Sequence, residues 1–218
     1  MLRLEKRKRR RGLDIIYRLV YIIAMANSKE HILSTALSLF SEKGYHSVGI
    51  SEICESSGVT KPTLYYFFES KEGLLRAILD KCYKPLNSLI AEKSLYKFSE
   101  DYQSDVYPVL YRVAEAYFSY AESNREFYRM YLAIIFSAST DSVRHAADGY
   151  IEHENELLSR MFSSILSYHT NLKGKEETLA VSFKSIINGY SLLMLDGRLS
   201  IDSSLIHSIV HQFMHGIF

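Results

Sequence analysis

The 218-residue chain has no tryptophan, three prolines and two cysteines. Each scarcity excludes something. Two cysteines, Cys54 and Cys82, are too few for a disulfide framework, and neither sits in a metal-ligand spacing such as CxxC. A reducing, cytoplasmic setting is the expectation. Three prolines and ten glycines over this length are few turn-formers for a β protein and point to an all-α chain. Also missing are a nucleophile elbow, a phosphate loop and an HExxH pattern, so the chain is not read as an enzyme, and it implies no cofactor and no metal. What is abundant is tyrosine, seventeen residues. Its apolar face and hydroxyl suit interfaces and pockets.

A net charge of +1 hides an asymmetry. Residues 1–26 carry eight Lys/Arg against two Asp/Glu, residues 27–82 six against seven, and residues 83–218 twelve against sixteen. The first stretch, a basic run followed by the apolar run Leu13–Ala26, admits four readings. It has the order of a signal peptide. It is short for a membrane span, and it holds Asp14 and Arg18. It has the charge of an arm for DNA phosphates. Finally, it has the look of an extension ahead of a start at Met25. Asn27 with Glu30 three residues on is a capping-box-like pair and predicts a helix start there. Residues 1–26 are therefore an extension of doubtful status.

From Ser28 the periodicity is helical, with Ile32, Leu33, Ala36, Leu37 and Phe40 on one face. Gly44 suits a left-handed cap. A second short helix carries Ile50, Ile53 and Cys54 inward. Gly58-Val59-Thr60 then makes a tight turn, with glycine where positive φ is wanted. Thr60 caps a third helix, and Pro62 lies in its first turn, where the missing N–H is harmless. Ser70 caps a fourth. Two short helices joined by such a turn form a helix-turn-helix, whose second helix enters a DNA major groove. That geometry sorts the aromatic run. Leu64 and Phe68 face the core, Thr63 and Tyr66 the other way, Tyr65 flanks, and Phe67 stays unassigned.

These residues resemble the DNA-binding domain of the TetR family of transcriptional regulators. The resemblance lies in Ala36–Tyr45, Ile50–Phe68 and Ser70–Leu75, about a quarter of the chain. It implies that Thr60, Tyr65 and Lys71 contact phosphates, and that Lys61, Thr63 and Tyr66 approach base edges or nearby phosphates of a double-stranded operator. Two positions depart from the family pattern. Val48-Gly49 stand where a hydroxyl usually caps the second helix, and Phe67 stands where histidine or tyrosine is usual. The domain has few basic residues, so its contacts are expected to be hydrogen-bond-rich, with a modest salt dependence.

The expected organisation is a helix-turn-helix domain over residues 27–73 and a helical ligand-binding and dimerisation domain over 74–218. Pro85 is expected to interrupt or kink the fourth helix. Further helices are predicted at about 104–122, 124–138, 141–169, 175–196 and 202–216 from their periodicity. Their apolar stripes suggest a pocket at Tyr111, Phe118, Phe127, Tyr131 and Phe162 for a small, largely apolar or aromatic ligand. Glu115, His145, Glu152 and Asn188 are candidate polar anchors. The last two helices are apolar over more than one face, which predicts a homodimer interface through Phe183, Ile187, Tyr190, Ile209 and Phe213. His207, His211 and His215 recur every fourth residue and read as interface histidines or a metal stripe. The reading is a dimeric, ligand-responsive repressor with no membrane partner. The alternative is a DNA-binding regulator whose second domain binds a protein.

Overall fold

A computed structural model describes the backbone of residues 2–101, 104–169 and 173–216, and the side chains from Ile22 onward except Ala24. All regular structure among the described residues is helical. In chain order the helices are α1 Leu2–Lys43, α2 Ile50–Ser57, α3 Lys61–Phe68, α4 Lys71–Lys93, α5 Val106–Ser123, α6 Arg125–Ile135, α7 Ser142–Leu166, α8 Glu176–Leu195 and α9 Ser203–His215. The chain divides into two compact units between Leu74 and Leu75.

The first unit is built on α1, α2, α3 and the first turn of α4. Ile32, Leu33, Ala36 and Phe40 of α1, Ile53 and Cys54 of α2, Leu64 and Phe68 of α3, and Leu74 are all buried. This is the stripe expected from the spacing. The start predicted at Asn27 is not a helix start, because α1 continues back to Leu2. No glycine or proline lies between Gly12 and Asn27 to stop helix propagation, and a capping pair marks a start only where the preceding backbone leaves the helix. α4 likewise continues through Pro85 to Lys93. A single proline costs a helix one hydrogen bond, and packing of the flanking turns offsets that loss here. Those turns bury Cys82, Tyr83, Leu86 and Ile90. Burial pushes the Cys82 thiol up to about 11.

The second unit is a bundle in which α8 packs on α5, α6 and α7, α5 on α6 and α9, and α6 on α7. By length and composition alone α8 could cross a membrane, at 20 residues and mean hydropathy 1.3. It also carries Lys184 and Asn188 into the bundle interior, where both are hydrogen-bonded.

Candidate nucleic-acid interface

The turn between α2 and α3 is built as its residues dictate. Gly58 caps α2 at φ 64°, a left-handed conformation that costs glycine nothing. Its N–H and that of Val59 return to the Glu55 and Cys54 carbonyls. Thr60 caps α3, accepting from the Thr63 N–H at 3.4 Å, and the two threonine hydroxyls lie 2.9 Å apart. One hydroxyl pair thus fixes the N-terminal turn of α3 and occupies the Thr63 N–H, while Pro62 has none to offer.

Along α3, Leu64 and Phe68 are buried, while Tyr65 is 45% and Tyr66 72% exposed. Lys61 is exposed and Thr63 half-buried. Phe67 is half-buried and packs edge-on against Tyr66, with ring centroids 5.2 Å apart, and tilted against Phe68. It therefore props Tyr66 from the core side. Lys71 is turned inward. Its Nζ donates to the Tyr45 carbonyl at 2.5 Å and lies 4.1 Å from the Tyr45 ring centre. Burial holds its pKa below the usual lysine value.

The corner between α3 and α4 is tight. Glu69 has φ 62° and is the only non-glycine residue with positive φ among those described. The Ser70 N–H donates back to the Phe68 carbonyl at 2.6 Å, so the reversal is closed within three residues. Ser70 then caps α4, accepting from the Gly73 N–H at 2.9 Å. At Gly73 a Cβ would stand 2.0 Å from the Phe68 carbonyl oxygen. The Ser70 cap was expected from the sequence; the reversal at Glu69 and the close approach at Gly73 were not. The signal present was the glycine itself, placed in the first turn of a helix where it has no intrinsic advantage.

The five residues expected to line one pocket fall on α5, α6 and α7 of the second unit. Phe127 and Tyr131 pack with Tyr83, Phe162 packs with Phe183 and Phe213, and Tyr111 lies beside Tyr107. Phe118 is buried on α5. Helical spacing shows which residues face inward, but not which inward neighbours meet. Of the proposed anchors, Glu115, His145 and Glu152 are exposed. Asn188 is buried and accepts from the Tyr128 hydroxyl at 3.3 Å.

The buried charge is Glu154 of α7, fully enclosed. Its carboxylate accepts from the Tyr117 hydroxyl at 2.7 Å and the Tyr131 hydroxyl at 3.1 Å, and pairs with Lys184 Nζ at 2.9 Å. Lys184 also donates to Asn155 at 3.0 Å. The sequence signal was there: Glu154 occupies the position one turn before Leu158, on the same apolar stripe of α7. Burial first, and the Glu154 charge second, hold the Tyr117 and Tyr131 hydroxyls well above the usual tyrosine range, and Tyr83 and Tyr128 are raised for the same two reasons. In the unfolded chain these tyrosines ionise near pH 10. Stability from them is therefore full below that pH and is lost as pH rises above it. Each tyrosine contributes a slope of up to about 1.4 kcal/mol per pH unit. Urea unfolding at a series of pH values should show a plateau below about pH 9 and a steep fall beyond about pH 10.

The residues assigned to a dimer interface differ in exposure. Phe183, Ile187 and Ile209 are fully or almost fully buried within the single chain. Tyr190 and Phe213 are half-buried. The outward side of α8 instead exposes Val181 and Leu192. An all-round apolar helix has an inner and an outer face, and composition does not say which is which. Along α9 the Tyr107 hydroxyl and His207 Nδ1 lie 2.7 Å apart, and the His211 and His215 rings are tilted against each other with centres 4.5 Å apart. Among the described residues no group of three or more His, Cys, Asp or Glu side chains gathers at metal-binding distance.

Comparison with known proteins agrees with this geometry. Residues 32–78 match the family described as "Bacterial regulatory proteins, tetR family". The biofilm operon icaADBC HTH-type negative transcriptional regulator IcaR of Staphylococcus aureus is 33% identical over 92 residues, 41% of this chain and 49% of that protein. The HTH-type transcriptional regulator RutR of Escherichia coli is 44% identical over 69 residues, 30% of this chain and 32% of that protein. This chain thus spans about half the length of IcaR, and less of RutR. The fold is shared more widely. The transcriptional regulator FadR of Bacillus subtilis, solved in complex with stearoyl-CoA, superposes with a TM-score of 0.71 at 16% identity, covering 87% of this chain and 99% of that one. The TetR family transcriptional regulator PfmR of Thermus thermophilus gives 0.65 at 23% identity, covering 86% and 95%.

Proposed function

With a tetR-family helix-turn-helix domain in residues 32–78, we propose that this chain is a sequence-specific, ligand-responsive repressor that acts as a homodimer on a palindromic operator. The observation that carries the reading is the division of α3. Leu64 and Phe68 lock the helix to the core, while Tyr65 and Tyr66 stand exposed beside a threonine-capped N-terminus. On a major groove, Tyr66, Thr63 and Lys61 meet base edges, and Tyr65 and Thr60 meet phosphates. Lys71 reaches a phosphate by exchanging its Tyr45 carbonyl for a phosphate oxygen. A negative regulator among the relatives supports the repressor sign. An acyl-CoA complex among the structural neighbours supports an effector role for the second unit. The exposed Val181 and Leu192 and half-buried Tyr190 and Phe213 are the residues a second copy would cover. Such a protein acts in the cytoplasm, where its operator is.

Effector control follows from population shift. A ligand that favours the arrangement misfitting the operator lowers DNA affinity, with a coupling of about 1–3 kcal/mol in typical cases. The dimeric reading is tested by native mass spectrometry on an inverted-repeat duplex. Two chains per duplex are expected, and scrambling one half-site should weaken binding at least about a hundredfold. One chain per duplex, with the second half-site silent, would remove the dimer from the account.

A further inference from the structure

His207, His211 and His215 lie on α9, outside the DNA-reading unit. They recur every fourth residue, and all three are exposed. The other side of the helix is buried through Ile206, Ile209 and Val210, and α9 packs on α5. Packing therefore fixes the direction in which the histidine row faces. Helical residues four apart stand one above the other, with Cβ atoms about 5–6 Å apart. Two imidazoles in that register can reach a common point.

The row is not uniform. The His207 Nδ1 lies 2.7 Å from the Tyr107 hydroxyl, and its ring centre is 6.0 Å from that of His211. The His211 and His215 ring centres are 4.5 Å apart, with the ring planes at 47°. Two imidazoles bound to one ion at metal–nitrogen distances of about 2.1 Å have ring centres about 4.5–5.3 Å apart, the lower end for a right angle at the ion and the upper for a tetrahedral one. The His211–His215 spacing falls at the right-angle end of that range. The His207–His211 spacing falls outside it.

Donor type narrows the ion. α9 carries no Asp, Glu or Cys. Imidazole suits Cu²⁺, Ni²⁺ and Zn²⁺, whereas Mg²⁺ and Ca²⁺ take oxygen ligands. A right angle belongs to tetragonal or octahedral coordination, and a structural Zn²⁺ is tetrahedral. We propose that His211 and His215 chelate one divalent transition-metal ion, Cu²⁺ or Ni²⁺ in preference to Zn²⁺, with water in the remaining positions. One ring nitrogen of each imidazole binds the ion and must be unprotonated to do so, so protons compete with the metal. His207, beside Tyr107, stays outside the chelate. The ion fastens the last turn of α9, which ends at Gly216.

The test uses the full, untagged chain without DNA, titrated with each metal chloride. Wild type should bind one Cu²⁺ per chain, Zn²⁺ at least about tenfold more weakly, and Mg²⁺ not at all. Losing an outer partner of a metal ligand costs about 10–100-fold in affinity, so His211→Gln and His215→Gln should each cost at least about tenfold. Both side chains are exposed, so the variants should keep the wild-type thermal midpoint without metal. His207→Gln should leave Cu²⁺ affinity within about twofold. Electron paramagnetic resonance of the Cu²⁺ form should show coupling to two imidazole nitrogens in wild type and to one in either single variant. No saturable Cu²⁺ binding to wild type, or equal binding by the His211→Gln/His215→Gln double variant, overturns the site. A loss in His207→Gln as large as in the other two overturns the two-residue chelate.

Discussion

Gly73→Ala is expected to destabilise the protein by about 2–4 kcal/mol and to lower operator affinity with it. Alanine is the better helix former by about 1 kcal/mol, so a propensity argument gives the opposite sign. Geometry decides. The new Cβ would stand 2.0 Å from the Phe68 carbonyl oxygen, and that oxygen belongs to backbone at the end of the recognition helix. A flexible side chain could move aside; this oxygen cannot. It accepts the Ser70 N–H in a three-residue reversal that already holds Glu69 at φ 62°. Relief therefore requires α3 and the start of α4 to separate, which tilts Tyr65 and Tyr66. Gly149→Ala is the internal control. It makes the same substitution in α7, where the added Cβ meets nothing, and should be neutral or stabilising by up to about 1 kcal/mol. Thermal unfolding of both variants checks the pair. A Gly73→Ala protein as stable as Gly149→Ala would contradict the described corner.

The second large effect is expected at the buried ion pair. Lys184→Met leaves the Glu154 carboxylate fully enclosed, with only the Tyr117 and Tyr131 hydroxyls for partners. Removing one partner of a buried pair costs about 3–5 kcal/mol, since the other charge is stranded. Adding Glu154→Gln removes that charge and should restore part of the loss. The double variant is then more stable than the two single effects predict, with a coupling of at least about 1 kcal/mol. Urea unfolding of the four proteins measures this. Strict additivity would mean that Lys184 and Glu154 do not meet.

Local chemistry made the reading unit legible. Gly58, Thr60 and Pro62 each have one natural place around a tight turn, and all three occupy it. The spacing of Leu64 and Phe68 was enough to separate the core face of α3 from Tyr65 and Tyr66. What escaped was long-range. Phe183 and Ile187 were known to be apolar, but whether they meet their own bundle or a second copy depends on how α5 and α7 pack against α8. Asn27 carried a correct capping signal that α1 does not use, because nothing before it breaks the helix. Gly73 was invisible as a contact, since its neighbour is a backbone oxygen that no side-chain pattern reports. Glu154 was visible as a charge on an apolar stripe. Its partner Lys184 lies one helix away and 30 residues on, a separation that periodicity does not bridge.

The central claim is that α3 reads DNA sequence through Thr63 and Tyr66. Selection of bound duplexes from a random pool, run in parallel with wild type, Thr63→Ala and Tyr66→Ala, tests it most directly. An inverted repeat should be enriched by wild type, with half-sites one helical turn or a multiple of it apart. The variants should lose preference at defined positions within each half-site, at about 1–3 kcal/mol for each base contact removed. No enriched sequence with wild type, or the same sequence enriched by all three proteins, would contradict the account.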